Sequence, residues 1–351
     1  MSGISILVVA TANARSARAS SVCSGRTGLR RELSRTLACR MLRVPYCHIT
    51  FTLPHQLNGL ARWYPAVIYN VLLRSSWKTI AQLCSDEDNV GGKPGMTAVL
   101  HTWGSDLKYH VHAHCLVTFG GLSEGSKPEW KWPRRKHKLA AFRKLRGAFR
   151  NIFLAGLKRL MDNKEVAYHR PFAEMEAELL KKSWVVNHQR PTADTKVIEE
   201  YLGRYICRIG ISNKRLFYDS QGKNVRIEYN DYSSQEPGKA APKKYRDLPP
   251  LVAMHLLLQH QLPPYFQRAR HYGLHSGGTY AKLKDKIPDK LKRNGQTVRT
   301  VIQILRALLA QQPHHCECCG GTGFVVDTIE ADYTYLAQHI LHQGRSPPPF
   351  G

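Results

Sequence analysis

Apolar positions recur with two different periods along this chain, and each period predicts one kind of element. Alternation with period two predicts strands at residues 46–53, 96–103, 108–119 and 183–187, and a hairpin at 215–229 that turns at 221–222. Spacing near 3.6 predicts helices at residues 56–84 (one or two), 138–161, 172–182, 194–207 and 248–260. Pro54 ends the first strand, and Asp194 stands where it can cap a helix.

Changes in composition divide the chain into four segments. Residues 1–43 are rich in Ala, Ser and Arg without apolar periodicity, which predicts a poorly ordered or truncated N-terminal segment. The predicted strands and most helices group into one domain at 44–235. A linker of Lys and Pro at 236–246 opens a basic helical extension, 236–312, which we expect to bind DNA. A Cys/His cluster and tail occupy 313–351.

Charge is the compositional feature that points to a partner. The chain has 52 Lys and Arg against 26 Asp and Glu, a formal net charge of +26. Such a field attracts polyanions, of which nucleic acid is the commonest. A basic protein kept soluble by its charge is the plainer alternative. A peripheral membrane protein is disfavoured, since no long basic amphipathic helix is predicted. One loop, residues 123–137, combines cations with Trp and Pro.

Cysteine usage favours a reducing compartment. The chain has nine cysteines, an odd number, and only three of them cluster, at Cys316, Cys318 and Cys319. This is not the pattern of a disulfide framework, so we expect a cytoplasmic protein. No apolar run approaches the ~18 residues that a membrane-spanning helix needs, so no membrane association is predicted.

A row of histidines in the third predicted strand carries the most specific local pattern. His110, His112 and His114 alternate with apolar residues, so the three imidazoles share one face of the strand. Two imidazoles at i and i+2 can direct their nitrogens at one metal ion. A phosphoryl-transfer enzyme uses such an ion to neutralise and orient the phosphate. The alternative is three partly exposed histidines in a chain that has 17.

A pair of tyrosines, Tyr201 and Tyr205, lies in the predicted helix 194–207. Their spacing of four residues puts both phenols on one helix face. A phenol suits attack at phosphorus because the resulting ester conserves the bond energy for a second transfer. Four nearby cations can hold a DNA backbone: Arg204, Arg208, Lys214 and Arg215. The alternative is two amphipathic tyrosines at the edge of the core.

A His-hydrophobic-His strand followed downstream by a two-tyrosine helix resembles the HUH nucleases. More narrowly, residues 44–276, about two-thirds of the chain, are similar to the two-tyrosine transposases of rolling-circle insertion sequences. The similarity rests on residues 44–55, 110–122, 201–216 and 266–276. The run YLGRYICRIGISNKRL at 201–216 is quite specific to that family.

The resemblance implies a fold, metal ligands and nucleophiles. The fold is α+β, with an HUH-nuclease-like central antiparallel sheet and helices packed on one face. The metal-binding pair falls on His112 and His114, with His110 a third ligand or an outer-shell group. The catalytic tyrosines fall on Tyr201 and Tyr205, which would leave a 5′-phosphotyrosine and a free 3′-OH. The ion is Mg²⁺ or Mn²⁺, and imidazole ligands make Mn²⁺ the better match.

A cysteine cluster supplies a second candidate metal site. Cys316 and Cys319 form a Cys-x-x-Cys pair followed by two glycines, which is half of a zinc knuckle. His314 or His315 would have to complete a zinc site, and a cysteine-rich tail without metal is the alternative. Members of the family usually have an N-terminal cysteine-rich zinc module, whereas residues 1–43 hold only two cysteines, a departure from the pattern.

Together these patterns predict a metal-dependent transposase that nicks and joins single-stranded or locally melted DNA through a 5′-phosphotyrosine. A rolling-circle replication initiator or a relaxase would use the same chemistry. A non-catalytic nucleic-acid-binding protein is the alternative of another class.

Overall fold

Strands and helices are mixed along the chain. The computed structural model describes residues 41–194, 197–198, 211, 215–219, 221, 223–236 and 239–293. Strands in this part are β1 (Tyr46–Thr52), β2 (Gly95–Trp103), β3 (Tyr109–Thr118), β4 (Gly121–Leu122), β5 (Trp130–Lys131), β6 (Val185–His188), β7 (Leu216–Asp219), β8 (Asn224–Asn230), β9 (Lys243–Leu248) and β10 (Ala269–Gly273). Helices are α1 (Asn58–Trp63), α2 (Pro65–Ser85), α3 (Phe142–Asp162), α4 (Phe172–Leu180), α5 (Pro250–Leu258) and α6 (Gly277–Leu283).

Five strands form the central sheet, antiparallel throughout, in the order β10-β2-β3-β1-β6. Because side chains alternate along a strand, each face of the sheet has its own chemistry. On one face Ile49 of β1 pairs with Cys115 of β3, and both are fully buried. On the other face the adjacent pair is Thr50 with His114. The register therefore places the histidines on the polar face.

Helices α2 and α3 cover the apolar face of this sheet. The ring of Phe149 in α3 lies 4.7 Å from that of Phe51 in β1, centroid to centroid. The buried side chains of α3 recur at helical spacing and are Leu145, Phe149, Phe153, Leu154 and Leu157. Pro65 occupies the first turn of α2, where its missing N–H loses no hydrogen bond. The predicted α+β fold, with an antiparallel sheet and helices packed on one face, is confirmed.

A smaller sheet, in the order β7-β8-β9, packs beside the tip of the β2–β3 hairpin. Its apolar cluster consists of Leu107 in the hairpin tip with Ile211, Ile227, Leu248 and Ala253. The Ser105 hydroxyl of the tip donates to the Asn230 carbonyl at 2.7 Å. Packing and hydrogen bonding thus join the smaller sheet to the strands that carry the histidines.

Several predicted elements differ from those observed. Residues 236–246 were expected to be a linker, yet β9 begins at Lys243; its charged strand is stabilised by pairing with β8, including a bidentate bond from Arg226 to Asp247. Strand β10 was not predicted, because as a half-buried edge strand it shows no alternation. Of the predicted helix 194–207 only Asp194, Val197 and Ile198 are described, and Val197 and Ile198 are helical. The segment boundaries at 43, 235 and 312 stay predictions.

Two general expectations can be compared with the described residues. The cysteines of the described ranges, Cys47, Cys84 and Cys115, are buried free thiols. No helix in the described ranges has the length and apolar character needed to cross a bilayer.

Candidate metal centre

Three histidines converge on the polar face of the central sheet. One ring nitrogen each of His101, His112 and His114 lies within 4.8 Å of the other two. The Nε2 atoms of His112 and His114 are only 3.1 Å apart. Ring centroids of His101 lie 5.5 Å from His112 and 4.6 Å from His114. Three imidazoles from two adjacent strands therefore face a common point.

The third member, His101, lies opposite His112 in the regular part of the β2–β3 pairing. Counting along both strands from the Met96–Val117 pair brings His101 to His112 and keeps it on the face of Thr97 and Val99. The register shifts only beyond this point, between His101 and Trp103, where β3 advances one residue more than β2 before Trp103 pairs with Tyr109. The Trp103 ring stacks on the His101 ring at 4.7 Å.

Hydrogen bonding fixes which nitrogen of His112 is available. Its Nδ1 lies 2.8 Å from the carbonyl oxygen of His110, and only a protonated nitrogen can donate to that oxygen. In the neutral ring Nε2 then holds a lone pair that points at His114. Metal-binding histidines commonly donate their other ring N–H to a carbonyl in this way.

His114 is held from its opposite side by two residues of β1. Its Nδ1 lies 2.9 Å from His48 Nε2 and 3.3 Å from Thr50 Oγ1. Thr50 Oγ1 is also 3.1 Å from His48 Nε2, so the three groups form a closed polar contact. With its Nδ1–H directed at them, His114 would offer Nε2 to an ion beside His112.

Burial disfavours the charged form of two imidazoles on this face, those of His112 and His48. It lowers the pKa of His112 well below the ordinary value, and the neighbouring His101 and His110 lower it further by charge repulsion. Burial likewise lowers the pKa of His48 to about 4. Neutral imidazole is the form that binds metal ions, so the lowered pKa of His112 and the proximity of the three ring nitrogens fit a divalent cation.

The structure brings together only some of the residues singled out from the sequence. His110 lies on the same face with its ring 5.0 Å from that of His112, but its side chain is exposed and stands outside the group of three. Arg215 donates to the carbonyls of Glu228 at 2.7 Å and Ser105 at 2.5 Å. Outside the described residues lie Tyr201, Tyr205, Arg204, Arg208, Lys214, Cys316 and Cys319.

The sequence that forms this site matches a known protein family and named relatives. A family described as "Putative transposase" matches residues 95–282, more than half of the chain and all of β2 and β3. A relative named "Putative transposase y4qJ", from Sinorhizobium fredii (strain NBRC 101917 / NGR234), is 31% identical over 259 residues, which are 70% of this chain and 61% of the relative.

A second relative, "Transposase for insertion sequence element IS801" from Pseudomonas savastanoi pv. phaseolicola, is 26% identical over 290 residues, 80% of this chain and 67% of the relative. The chain thus spans 61% of the length of the first relative and 67% of the length of the second. No solved structure matches significantly. With the family matched over more than half of its residues, including the strands that hold His101, His112 and His114, this chain belongs to the two-tyrosine transposase family.

Proposed function

We propose that this protein moves DNA by nicking one strand and joining it elsewhere, through a 5′-phosphotyrosine intermediate, at a divalent ion bound by His101, His112 and His114. The observation that carries the proposal is the convergence of three imidazoles in a chain of a transposase family. The ion, Mg²⁺ or Mn²⁺, would neutralise charge on the scissile phosphate. Imidazole nitrogens favour Mn²⁺ of the two.

Tyr201 and Tyr205 are the proposed nucleophiles. In the first step one phenolic oxygen forms a bond to phosphorus, the bond from phosphorus to the 3′ oxygen breaks, and that oxygen takes up a proton. The phosphotyrosine ester keeps the energy of the broken bond for rejoining. A second strand must also be cut and joined, and a second tyrosine four residues away can serve it.

The proposed substrate is single-stranded or locally melted DNA. A net charge of +26 suits a polyanion, and Arg204, Arg208, Lys214 and Arg215 are proposed backbone contacts. A replication initiator or a relaxase would share the chemistry, but the matched family and both relatives carry the name transposase. The zinc site at Cys316 and Cys319 also stays a proposal, which elemental analysis of the purified protein tests.

The decisive experiment looks for the covalent intermediate. The protein is incubated with a labelled single-stranded oligonucleotide and Mn²⁺ and then run on a denaturing gel. We expect an adduct with the parent and none with Tyr201→Phe plus Tyr205→Phe, a change that keeps both rings. Each single variant should impair cleavage or joining.

An adduct that persists in the double variant would assign the nucleophile elsewhere. An adduct that forms fully in excess chelator would remove the metal from the proposal. If the parent binds the oligonucleotide but never forms an adduct, the protein is a non-catalytic binder and the proposed function is wrong.

A further inference from the structure

The loop that joins the central sheet to α3 presents an exposed tryptophan next to a run of basic residues. Trp132 is 50% exposed, and the five residues Arg134, Arg135, Lys136, His137 and Lys138 are all exposed. Among the described residues, none of these five forms a salt bridge with a carboxylate; Lys131, before Trp132, pairs with Glu129. Large apolar rings are seldom exposed on protein surfaces, and this one lies beside positive charges that no neighbouring carboxylate among the described residues neutralises.

The loop is anchored at both ends. Leu122 of β4 exchanges backbone hydrogen bonds with Lys93 before β2, at 2.8 and 3.0 Å, and β4 pairs with β5. At the other end Leu139 and Ala140 are buried in the main core. Fixed attachment lowers the conformational entropy that the segment would lose on binding a ligand.

The tryptophan itself is braced by its neighbours. The Trp130 ring contacts the Trp132 ring edge to face, with centroids 6.0 Å apart. Trp130 in turn packs against Gly120, which has φ +136° and where a Cβ would come within 2.6 Å of the Trp130 Nε1. Pro133 follows and restricts the backbone of Trp132 to extended conformations. One indole thus supports another that faces solvent.

We propose that this loop is a single-strand DNA subsite, in which Trp132 stacks on an unpaired base while Arg135, Lys136 and Lys138 contact phosphates. The inference rests on the proposed function for the identity of the nucleic acid. A single strand is favoured over a duplex because an indole face needs an unstacked base, and duplex bases show only their edges. The backbone N–H of Arg134 bonds to the Asn89 carbonyl, beside acidic residues 86–88, so Arg134 is left out of the phosphate contacts.

The test measures binding without catalysis. Fluorescence anisotropy follows a fluorescein-labelled oligonucleotide of mixed sequence, single-stranded or annealed to its complement, in chelator so that nothing is cut. We expect Trp132→Ala to weaken single-strand binding about tenfold and leave duplex binding unchanged. Trp132→Phe should keep most of the affinity. Trp63→Ala, which removes an indole that is 56% exposed on α1, is the matched control and should change nothing.

The phosphate contacts are tested through salt. The triple variant Arg135→Ala, Lys136→Ala and Lys138→Ala should make the negative slope of log affinity against log salt shallower by about 2 for a single strand. The control Arg159→Ala, Lys181→Ala and Lys182→Ala removes the same charge from exposed positions near α3 and α4 and should change the slope less. Equal salt slopes for the two triple variants would overturn the subsite. A Trp132→Ala variant that binds single strands like the parent, or that loses affinity for single strands and duplex equally, would also overturn it.

Failure of the subsite and failure of the proposed function give different results. If Trp132→Ala loses single-strand affinity but the parent never forms a covalent adduct, the subsite stands and the nicking proposal falls. If the adduct forms but Trp132→Ala binds normally, the nicking proposal stands and the subsite falls.

Discussion

The two sheets of this protein distribute polar and apolar side chains in opposite ways. On the central sheet polar residues are buried: His112 is only 8% exposed and Thr97 is fully buried. On the small sheet apolar rings are exposed: Phe217 and Tyr245 show 46% and 57% of their surface. Burying polar groups costs free energy unless they are paired, so the central sheet accommodates its histidines only through specific contacts.

This difference between the two sheets indicates which of them contributes more to the metal site and to folding stability. Both faces of the central sheet are packed, one with apolar side chains and one with a hydrogen-bonded histidine group. The small sheet has a five-residue apolar cluster, which includes Leu107 of the neighbouring hairpin. We therefore expect substitutions on the central sheet to have large effects on the metal site or on folding, and substitutions on the small sheet to have smaller ones.

The largest expected effect follows from removing a metal ligand. His112→Ala or His114→Ala should lower the rate of DNA cleavage at least about 100-fold, because the ion would lose a ligand, while DNA affinity changes little. His101→Ala should behave similarly. His110→Ala is the matched control, since it removes an exposed imidazole from the same strand and keeps the backbone carbonyl that bonds His112.

Oligonucleotide cleavage assays with Mn²⁺ measure this comparison. Loss of cleavage in His110→Ala with retention in His101→Ala would make His110 the ligand and remove His101 from the proposed site.

A large loss of stability is expected from the apolar face. Phe51→Ala removes a fully buried ring that contacts Phe149 and should lower the free energy of unfolding by about 3–5 kcal/mol. Leu248→Ala, in the cluster of the small sheet, should cost about 2 kcal/mol, at the lower end for leucine, because its cluster is small. Urea unfolding of both variants measures the contrast. A larger cost at Leu248 would mean that the small sheet is the more strongly stabilised of the two.

An intermediate effect is expected from the residue behind the metal ligands. His48→Ala should weaken Mn²⁺ binding about 10- to 100-fold, because His48 lies against the Nδ1 of His114 and orients its ring. His48→Gln, which can still present a hydrogen-bonding group, should recover part of the affinity. Isothermal titration with Mn²⁺ checks this, with thermal unfolding of each apo-protein as the control. If both variants lose affinity only in proportion to lost stability, His48 is structural and does not position His114.

The sequence predicts the central sheet and part of the site for identifiable reasons. Strict alternation placed His112 and His114 on one face, and their neighbours Val111, Ala113 and Cys115 on the buried face, as observed. His101 was missed because it is the only histidine of β2: alternation puts it on the face of Thr97 and Val99, but only the pairing of β2 with β3 sets it opposite His112. Strand β9 was missed for a related reason, since its partner strand and not its own pattern makes Lys243–Leu248 extended.

The smallest expected effects separate two arginines of the small sheet. Arg226 makes a bidentate pair with Asp247, but both side chains are about half exposed, so solvent and salt screen the interaction. Arg226→Ala should therefore change the free energy of unfolding only slightly. Arg215 is partly buried and donates to the backbone carbonyls of Glu228 and Ser105, which joins the small sheet to the hairpin tip. Because Arg215→Ala leaves both carbonyls without this charged donor, we expect a loss of about 2 kcal/mol in the free energy of unfolding.

Hydrogen exchange of β8 amides, compared with β3 amides, measures both variants against the parent. Faster exchange in β8 for Arg215→Ala, with β3 unchanged, would show that the small sheet opens separately from the central sheet. Equal acceleration in the two strands would mean that they unfold as one unit, and the contrast between the two sheets would then apply to surface chemistry only.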